Sequence, residues 1–261
     1  MSGLIEDCEA IKRESKGGKM PNAKDVKVDL SYLKVFVVGD SGTGKSIFAS
    51  TWPTPGFVFN FDKSILSYRG LDFDYEDYTQ DGKGWIKFEK DFLEMKKKMT
   101  GDDPPYKTVV IDSTTTWSDL AMERALQLDP KRSPTGGPMW NVHYGMVKNL
   151  IEGRLRQLLE FKCNIVVIGH LSIVQDQETG AVIAIEPLLT GQLSTKVPGY
   201  FDEVYYARTR QTKEGTKWIL QTVAKGHYKA RSRLSGVMHI LPDEMSNDYS
   251  ELVKAINNQT T

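Results

Sequence analysis

The sequence predicts an α/β fold in which helices cover both faces of a mostly parallel sheet, with antiparallel strands at its C-terminal side. Short apolar runs, the first at 35–38, have the pattern of strands buried on both faces. Amphipathic segments of helical period separate these runs, and strands that alternate with helices build a parallel sheet. After His170 the pattern changes to two hairpins with glycine in their turns.

The chain is predicted to begin with an arm. Residues 1–28 are charged and polar and contain Gly17-Gly18 and Pro21, which indicates an N-terminal arm and linker. Residues 29–261 then form one domain, because no internal repeat or second linker interrupts the alternating pattern.

The elements of this domain follow in chain order. After the first strand, a helix should start at Gly44-Lys45 and end before Trp52-Pro53, because a residue before proline resists the helical conformation. Apolar runs predict further strands at 57–61, 108–111 and 165–169. Apolar spacings of three and four residues predict further helices at 85–99, through 120–128, at 142–161 and at 249–256. The hairpins are expected to turn at 178–180 and 213–215.

Composition excludes several functional classes. Lysine plus arginine and aspartate plus glutamate number 34 each, which argues against a histone-like coat for polyanions but leaves a local basic groove open. Of the two cysteines, Cys8 lies in the polar leader and Cys163 just before an apolar strand, so a disulfide framework is not expected. No apolar run approaches the roughly 20 residues that cross a bilayer. We therefore expect a cytoplasmic protein without a membrane contact.

A glycine-rich loop carries the strongest functional signal. It reads Gly39-Asp40-Ser41-Gly42-Thr43-Gly44-Lys45-Ser46 and satisfies G-x-x-x-x-G-K-[ST] between a strand and a helix. Glycines allow backbone N–H groups to converge on an anion, and the helix adds its positive end. The loop therefore predicts a phosphate cradle, in which Lys45 reaches the β- and γ-phosphates and the Ser46 hydroxyl ligates Mg²⁺. A glycine turn that matches by accident is the alternative.

Three polar residues at strand ends are candidates for the rest of the chemistry. Asp112 ends an apolar strand, where it would position Mg²⁺, although it could instead cap the next helix. Asp62 ends the second strand and is the candidate for polarising water, unless it pairs with Lys63. His170 ends another strand on the same edge and would sense the γ-phosphate, whereas a lone histidine is more often structural.

Together these segments resemble the RecA/RadA-type P-loop ATPases, and most closely the compact recombinase-like (single-strand annealing) ATPases encoded by bacteriophages. The motifs that carry the resemblance are GDSGTGKS, VVIDSTTTW, IVVIGHLS and AKGHYKARSRL, within residues 32–241. It implies a RecA-like core, Mg-ATP as ligand, and rings or filaments with ATP between protomers. It also implies single-stranded DNA as partner, with a single-strand-binding protein as a further one. A phage-encoded chain would work in the host cytoplasm.

The resemblance also assigns roles to individual residues. Phosphate and metal contacts fall on Lys45, Ser46 and Asp112. His170 corresponds to the polar switch between the γ-phosphate and the DNA loops. Lys229 and Arg231 resemble the basic pair that reaches a neighbour's γ-phosphate, so that hydrolysis would depend on assembly. The chain departs from the family at Asp62, where a glutamate is usual, and this puts the rate of hydrolysis in doubt.

Two loops are candidates for contact with DNA. Lys131-Arg132 precedes Trp140 and Tyr144, a basic and aromatic mixture suited to backbone neutralisation and base stacking, although both rings could equally pack in the core. By resemblance, the second DNA loop lies between Leu171 and Lys196 and contains Thr190-Gly191-Gln192.

Two other functions remain open at this point. A nucleoside-type small-molecule kinase would need an arginine-bearing lid, which Arg208 with Arg210 or Arg231 with Arg233 would supply. A nucleotide-gated loader or packaging accessory would answer to a protein partner. A GTPase is not expected, because the sequence has no Asn-Lys-x-Asp segment.

Overall fold

The computed structural model describes residues 32–236 and 240–258, without the side chains of 235 and 236. The N-terminal arm expected at 1–28 lies outside these residues. Within the described ranges, no helix has the length and apolarity to cross a membrane.

Strands and helices alternate through most of the described chain. The strands are β1 Lys34–Gly39, β2 Gly56–Asn60, β3 Phe73–Asp77, β4 Thr108–Asp112, β5 Asn164–Gly169, β6 Leu171–Gln175, β7 Val182–Pro187, β8 Glu203–Thr212, β9 Gly215–Gln221, β10 Arg231–Ser232 and β11 Glu244–Ser246. The helices are α1 Lys45–Ser50, α2 Gly84–Met99, α3 Thr114–Leu128, α4 His143–Leu159, α5 Leu193–Lys196, α6 Arg233–Gly236 and α7 Tyr249–Asn257, with 3-10 turns at Leu66–Tyr68 and Val197–Tyr200.

The main sheet has the strand order β11-β9-β8-β1-β5-β4-β2-β3, and β10 pairs with β8 outside this path. The six neighbouring strands β8, β1, β5, β4, β2 and β3 are parallel to one another. β9, β10 and β11 are antiparallel to their partners. Strand β5 separates β1 from β4, so the ends of β1, β5, β4 and β2 follow one another along a single sheet edge. That edge carries the candidate site.

An aromatic core fixes one side of this edge. Helix α2 buries Phe88 and Phe92, which pack at 5.6 and 6.1 Å between ring centroids from Phe59 of β2. Phe61 packs 5.8 Å from Trp117 of α3. Each such ring contributes about 1.5–3 kcal/mol of burial free energy. The core therefore holds the end of β2 and the start of α3 in a defined relation.

The predicted α/β fold is confirmed, and the hairpins differ in their placement. The second hairpin, β8–β9, joins the main sheet, with β8 parallel to β1. The first, β6–β7, forms a separate two-stranded sheet rather than an extension of the main one. Strand β3 was not predicted because its sequence, FDYED, is polar, as a strand at the sheet edge can be. The short β10 and β11 were also not predicted.

Candidate active site

The glycine-rich loop joins β1 to α1 in a conformation that requires its glycines. Gly42 and Gly44 have φ angles of 78° and 81°, in the left-handed region that side chains with a Cβ disfavour. A Cβ on Gly39 would lie 2.6 Å from both the Ala207 carbonyl and the Thr43 hydroxyl. The Thr43 hydroxyl donates to the Asp40 carbonyl at 2.7 Å, which closes the turn. The loop is thus a bare backbone cradle ahead of a helix.

Lys45 is folded back over this cradle. Its side chain is buried, and Nζ donates to the carbonyls of Gly39 at 2.8 Å and Asp40 at 2.7 Å. Burial lowers the pKa of Lys45, and the carboxylates of Asp112, Asp40 and Asp62 oppose that shift. The ammonium is therefore held by loop carbonyls and attracted by carboxylates, in a position to meet a phosphate.

Asp112 lies at the end of β4, 3% exposed. Burial raises its pKa to about 6, although the Ser46 hydroxyl hydrogen bond and the Lys45 charge lower it. The Tyr68 hydroxyl donates to Oδ2 at 3.4 Å. A buried carboxylate beside a hydroxyl matches the oxygen ligands that Mg²⁺ prefers. Among the described residues, no group of three or more His, Cys, Asp or Glu is arranged to hold a metal ion.

Asp62 follows β2, and backbone hydrogen bonds hold it beside Asp112. The Asp112 carbonyl accepts from the N–H groups of Phe61 at 2.6 Å and Asp62 at 3.1 Å. The peptide from Asp112 to Ser113 is cis, and the Ser113 hydroxyl donates to Asp62 at 2.9 Å. The Thr116 hydroxyl donates to the same oxygen of Asp62.

The protonation state of Asp62 follows from these contacts. Burial raises its pKa, but hydrogen bonds from His170, Thr116 and Ser113 outweigh burial, so the pKa lies below its usual value. The side chain is thus an ionised acceptor. Its hydrogen-bond partners are these three groups, whereas the neighbouring Lys63 is exposed.

His170 connects Asp62 to a loop beyond β7. Its Nε2 lies 3.4 Å from Asp62 Oδ2, and its carbonyl accepts from the Leu188 N–H at 2.8 Å. The His170 N–H donates to the Thr115 hydroxyl at 3.3 Å, and this hydroxyl donates to the Leu188 carbonyl at 3.1 Å. Hydrogen bonds among His170, Thr115 and Leu188 therefore connect Asp62 to the start of the 188–192 loop.

One cavity of about 400 Å³ collects these groups. Its lining includes the loop residues Ser41, Gly42 and Gly44 together with Lys45, Ser46, Asp62, Asp112 and His170. The sequence placed all of them at one sheet edge, and the structure brings them to one space. Such a cavity holds a backbone anion cradle, a lysine, a hydroxyl–carboxylate pair and an ionised second carboxylate.

Lys229 and Arg231 do not line this cavity. Arg231 pairs with Val204 near the start of β8, whereas the cradle lies at the other end of the neighbouring β1. Its guanidinium donates to the carbonyls of Pro198 at 2.9 Å, Gly199 at 3.3 Å and Phe201 at 2.5 Å. Lys229 forms an ion pair with Glu186 at 3.0 Å. Both basic side chains are thus held by contacts within the chain.

Two of the DNA candidates, Trp140 and Tyr144, line a second cavity of about 250 Å³, whereas Lys131 and Arg132 do not. Trp140, which precedes α4, is 69% exposed and packs on Tyr144 with 4.6 Å between ring centroids, so it is not a core residue. Lys148, Gly191 and Gln192 complete the lining with Asn141 and Gly145. Lys131 and Arg132 are exposed, and the Arg132 guanidinium donates to nearby carbonyls, including that of Lys131 at 3.1 Å. The nearby His143 is buried, with Nδ1 accepting from the Met139 N–H at 2.7 Å.

Two residues of the site escaped sequence reasoning. Trp218 of β9 lines the cavity of the glycine-rich loop, and its Nε1 donates to the Gly42 carbonyl at 3.1 Å. Asn247 donates from Nδ2 to the Gly44 carbonyl at 2.7 Å. Neither lies in a motif, and Trp218 is 176 residues from its partner, so the local sequence held no signal of the contact.

Comparison with known proteins identifies the family. A family profile described as "AAA domain" matches residues 31–234. No curated protein matches. Among solved structures, a KaiC-like protein from the hyperthermophilic archaeon Pyrococcus horikoshii OT3 is similar at a TM-score of 0.41 and 13% identity, over 72% of this chain and 77% of that one.

Proposed function

The chain belongs to the AAA domain family of P-loop ATPases, and from this premise we propose that it is an ATP-dependent DNA recombination or single-strand annealing protein. It binds and hydrolyses Mg-ATP in the cavity of the glycine-rich loop and acts on single-stranded DNA as an oligomer. The observation that carries the nucleotide half is the meeting of Lys45, Ser46, Asp112 and Asp62 around one cradle.

The residues divide the work of hydrolysis between them. The cradle N–H groups and Lys45 hold the phosphates, and the Ser46 hydroxyl and Asp112 would hold Mg²⁺. When bound, the metal would neutralise charge that develops on the phosphate oxygens. Asp62, ionised and aligned by Ser113 and Thr116, accepts a proton from the attacking water. Its short side chain reaches less far than a glutamate would, so we expect slow turnover.

Assembly completes this site. The phosphoryl charge on the side away from Lys45 is met by basic side chains in trans. The exposed Lys229 and Arg231 of a neighbouring copy provide them. Arg231 would exchange its carbonyl partners for a phosphate when copies pack together in a ring or filament.

The DNA half rests on the second cavity. An exposed tryptophan stacked on Tyr144, with Lys148 in the same lining, combines the aromatic platform and the positive charge that single strands require. The loop of Gly191 and Gln192 borders this cavity and begins near Leu188, which is hydrogen-bonded to His170. A change at the γ-phosphate would therefore reach the DNA cavity through His170.

The test measures ATPase activity with and without single-stranded DNA. We expect DNA to raise turnover and Trp140→Ala to reduce that stimulation, with an affinity for DNA that falls steeply with salt. Phe57→Leu, at a partly buried position remote from Trp140 in sequence, serves as control. If the protein neither binds DNA nor responds to it at low salt, the DNA half of the proposal is wrong.

A small-molecule kinase is the second candidate, on one specific observation. A cavity of about 700 Å³ lies beside Asp62 and is lined also by Thr79, Gln80 and Asp81, where an acceptor hydroxyl would fit. Against it, Arg208 and Arg210 pair with Glu244 on the β9 side of the sheet, opposite to Asp62. Release of ADP that depends on a nucleoside acceptor would favour the kinase. A loader would instead respond to a protein partner.

A further inference from the structure

The order of strands gives the nucleotide cavity a direction. Asp112 ends β4 and Asp62 follows β2, on one side of the cradle strand β1, whereas Trp218 lies on β9, on the other side. In a triphosphate held by Lys45 and Ser46, the γ-phosphate must point toward the carboxylates that serve metal and water. The nucleoside end then points toward Trp218.

The strand register places Trp218 at the sheet edge beside the glycine-rich loop, where the base of a bound nucleotide would lie. Strand β8 aligns Ala207 with Gly39, the last residue of β1, and β9 aligns Trp218 with Thr209. Trp218 therefore lies two residues beyond the end of β1, level with the glycine-rich loop. The hydrogen bond from Nε1 to the Gly42 carbonyl fixes the edge of the indole on the loop.

The indole keeps a large apolar surface free. Trp218 is 49% exposed, and Ile47, in the first turn of α1, is 50% exposed; both line the cavity. Large apolar side chains at such exposure in a cavity that otherwise consists of polar groups indicate a flat apolar ligand. A nucleobase has that shape, and every base has a π-face that stacks on an aromatic ring.

We propose that Trp218 is the nucleobase platform of this site, with Ile47 as a further apolar contact. This assignment rests on the proposed nucleotide binding and adds the residue that distinguishes a nucleotide from a bare triphosphate. Because stacking scales with ring area and the indole presents no further donor toward the base, Trp218 favours purines over pyrimidines without reading one purine edge.

The test compares ligands with and without a base. Binding of a non-hydrolysable ATP analogue and of inorganic triphosphate, each with Mg²⁺, is measured by calorimetry for the wild type, Trp218→Ala, Trp218→Phe and the control Tyr75→Ala, an exposed aromatic residue of the edge strand β3. We expect Trp218→Ala to weaken the ATP analogue roughly ten-fold or more and Trp218→Phe to weaken it less. Inorganic triphosphate should bind all four proteins alike.

The outcomes separate this inference from the function on which it rests. Unchanged affinity of Trp218→Ala for the ATP analogue overturns the platform alone, and so does an equal loss for both ligands, which would mean that Trp218 only holds the loop. If the wild type binds neither ligand, nucleotide binding itself is wrong. In a Trp140→Phe background, the remaining tryptophans other than Trp218 are buried at Trp52, Trp85 and Trp117. Stacking should quench indole fluorescence with ADP but not with inorganic diphosphate, and equal signals contradict the inference.

Discussion

His170 Nε2 lies 3.4 Å from Asp62 Oδ2, although their strands, β5 and β2, are separated in the sheet by β4. The contact spans the end of β4, where Asp112 lies. It joins the residue proposed to accept a proton from water to the residue bonded to the 188–192 loop. Asp62 and the 188–192 loop thereby belong to one hydrogen-bonded unit.

Asp62→Asn should lower turnover of ATP by about 100-fold or more, because the amide cannot accept the proton of the attacking water. Binding of the nucleotide should change little, since the Asp62 carboxylate is hydrogen-bonded to Ser113, Thr116 and His170. Steady-state kinetics give kcat, and calorimetry gives the affinity. Asp81→Asn, an exposed carboxylate in the adjoining cavity, is the matched control. Turnover of Asp62→Asn equal to that of the control would remove Asp62 from the mechanism.

His170→Ala should separate hydrolysis from its stimulation by DNA. Basal turnover falls little, whereas stimulation by single-stranded DNA is lost, because the link from Asp62 to the Leu188 backbone is broken. Thr115→Val, which removes the hydroxyl that bonds the Leu188 carbonyl, should give a partial loss. Stimulation that stays intact in both variants contradicts a relay through His170.

Arg231→Ala and Lys45→Ala should each lose DNA-stimulated turnover, for different reasons. The first lacks the arginine for its neighbour, and the second lacks the lysine of its own cradle. Mixing the two proteins should recover part of the activity, because some interfaces then pair an intact cradle with an intact Arg231. ATPase assays across mixing ratios measure this, and mixtures no more active than either variant would argue against action in trans.

The free energy of unfolding should depend on pH through the titration of Lys34. Its Nζ donates to the carbonyls of Phe161 and Cys163 at 2.6 Å, and burial lowers its pKa from 10.5 to about 8, with a smaller opposing effect from Cys163. Between these values the unfolded chain binds the proton and the folded chain does not, so the free energy of unfolding rises with pH. Relative to Lys34→Met, the wild type should gain on the order of 2 kcal/mol over this window.

Urea unfolding of wild type and Lys34→Met at pH 7.5, 9 and about 10.5 measures this difference, and two-state behaviour is checked by the constancy of the denaturant slope. A difference between the two proteins that is flat with pH would show that Lys34 titrates alike in both states.

Sequence reasoning succeeded where the signal is local. The cradle from Gly39 to Ser46 and the apolar spacing of α2 each depend on neighbouring residues, and both were predicted at nearly their observed bounds. The strand-end rule also placed Asp112, Asp62 and His170 at one edge. It could not show that His170 is hydrogen-bonded to Asp62, because that contact depends on the order of strands in the sheet.

Long-range contacts were the part that the sequence could not supply. Trp218 meets the loop only because β9 pairs with β8 in a particular register. Strand β3 escaped because an edge strand can be polar, and the separate β6–β7 sheet because a hairpin's sequence does not state its partner. Trp140 could not be assigned to core or surface from its spacing, and its exposure settles only that question.

A crystal structure of the purified protein with Mg²⁺ and a non-hydrolysable ATP analogue tests nucleotide binding at this site. We expect the triphosphate in the cradle from Gly39 to Ser46, the metal between the Ser46 hydroxyl and Asp112, and the base on Trp218. An empty cradle, or a nucleotide bound only elsewhere on the chain, would contradict this expectation.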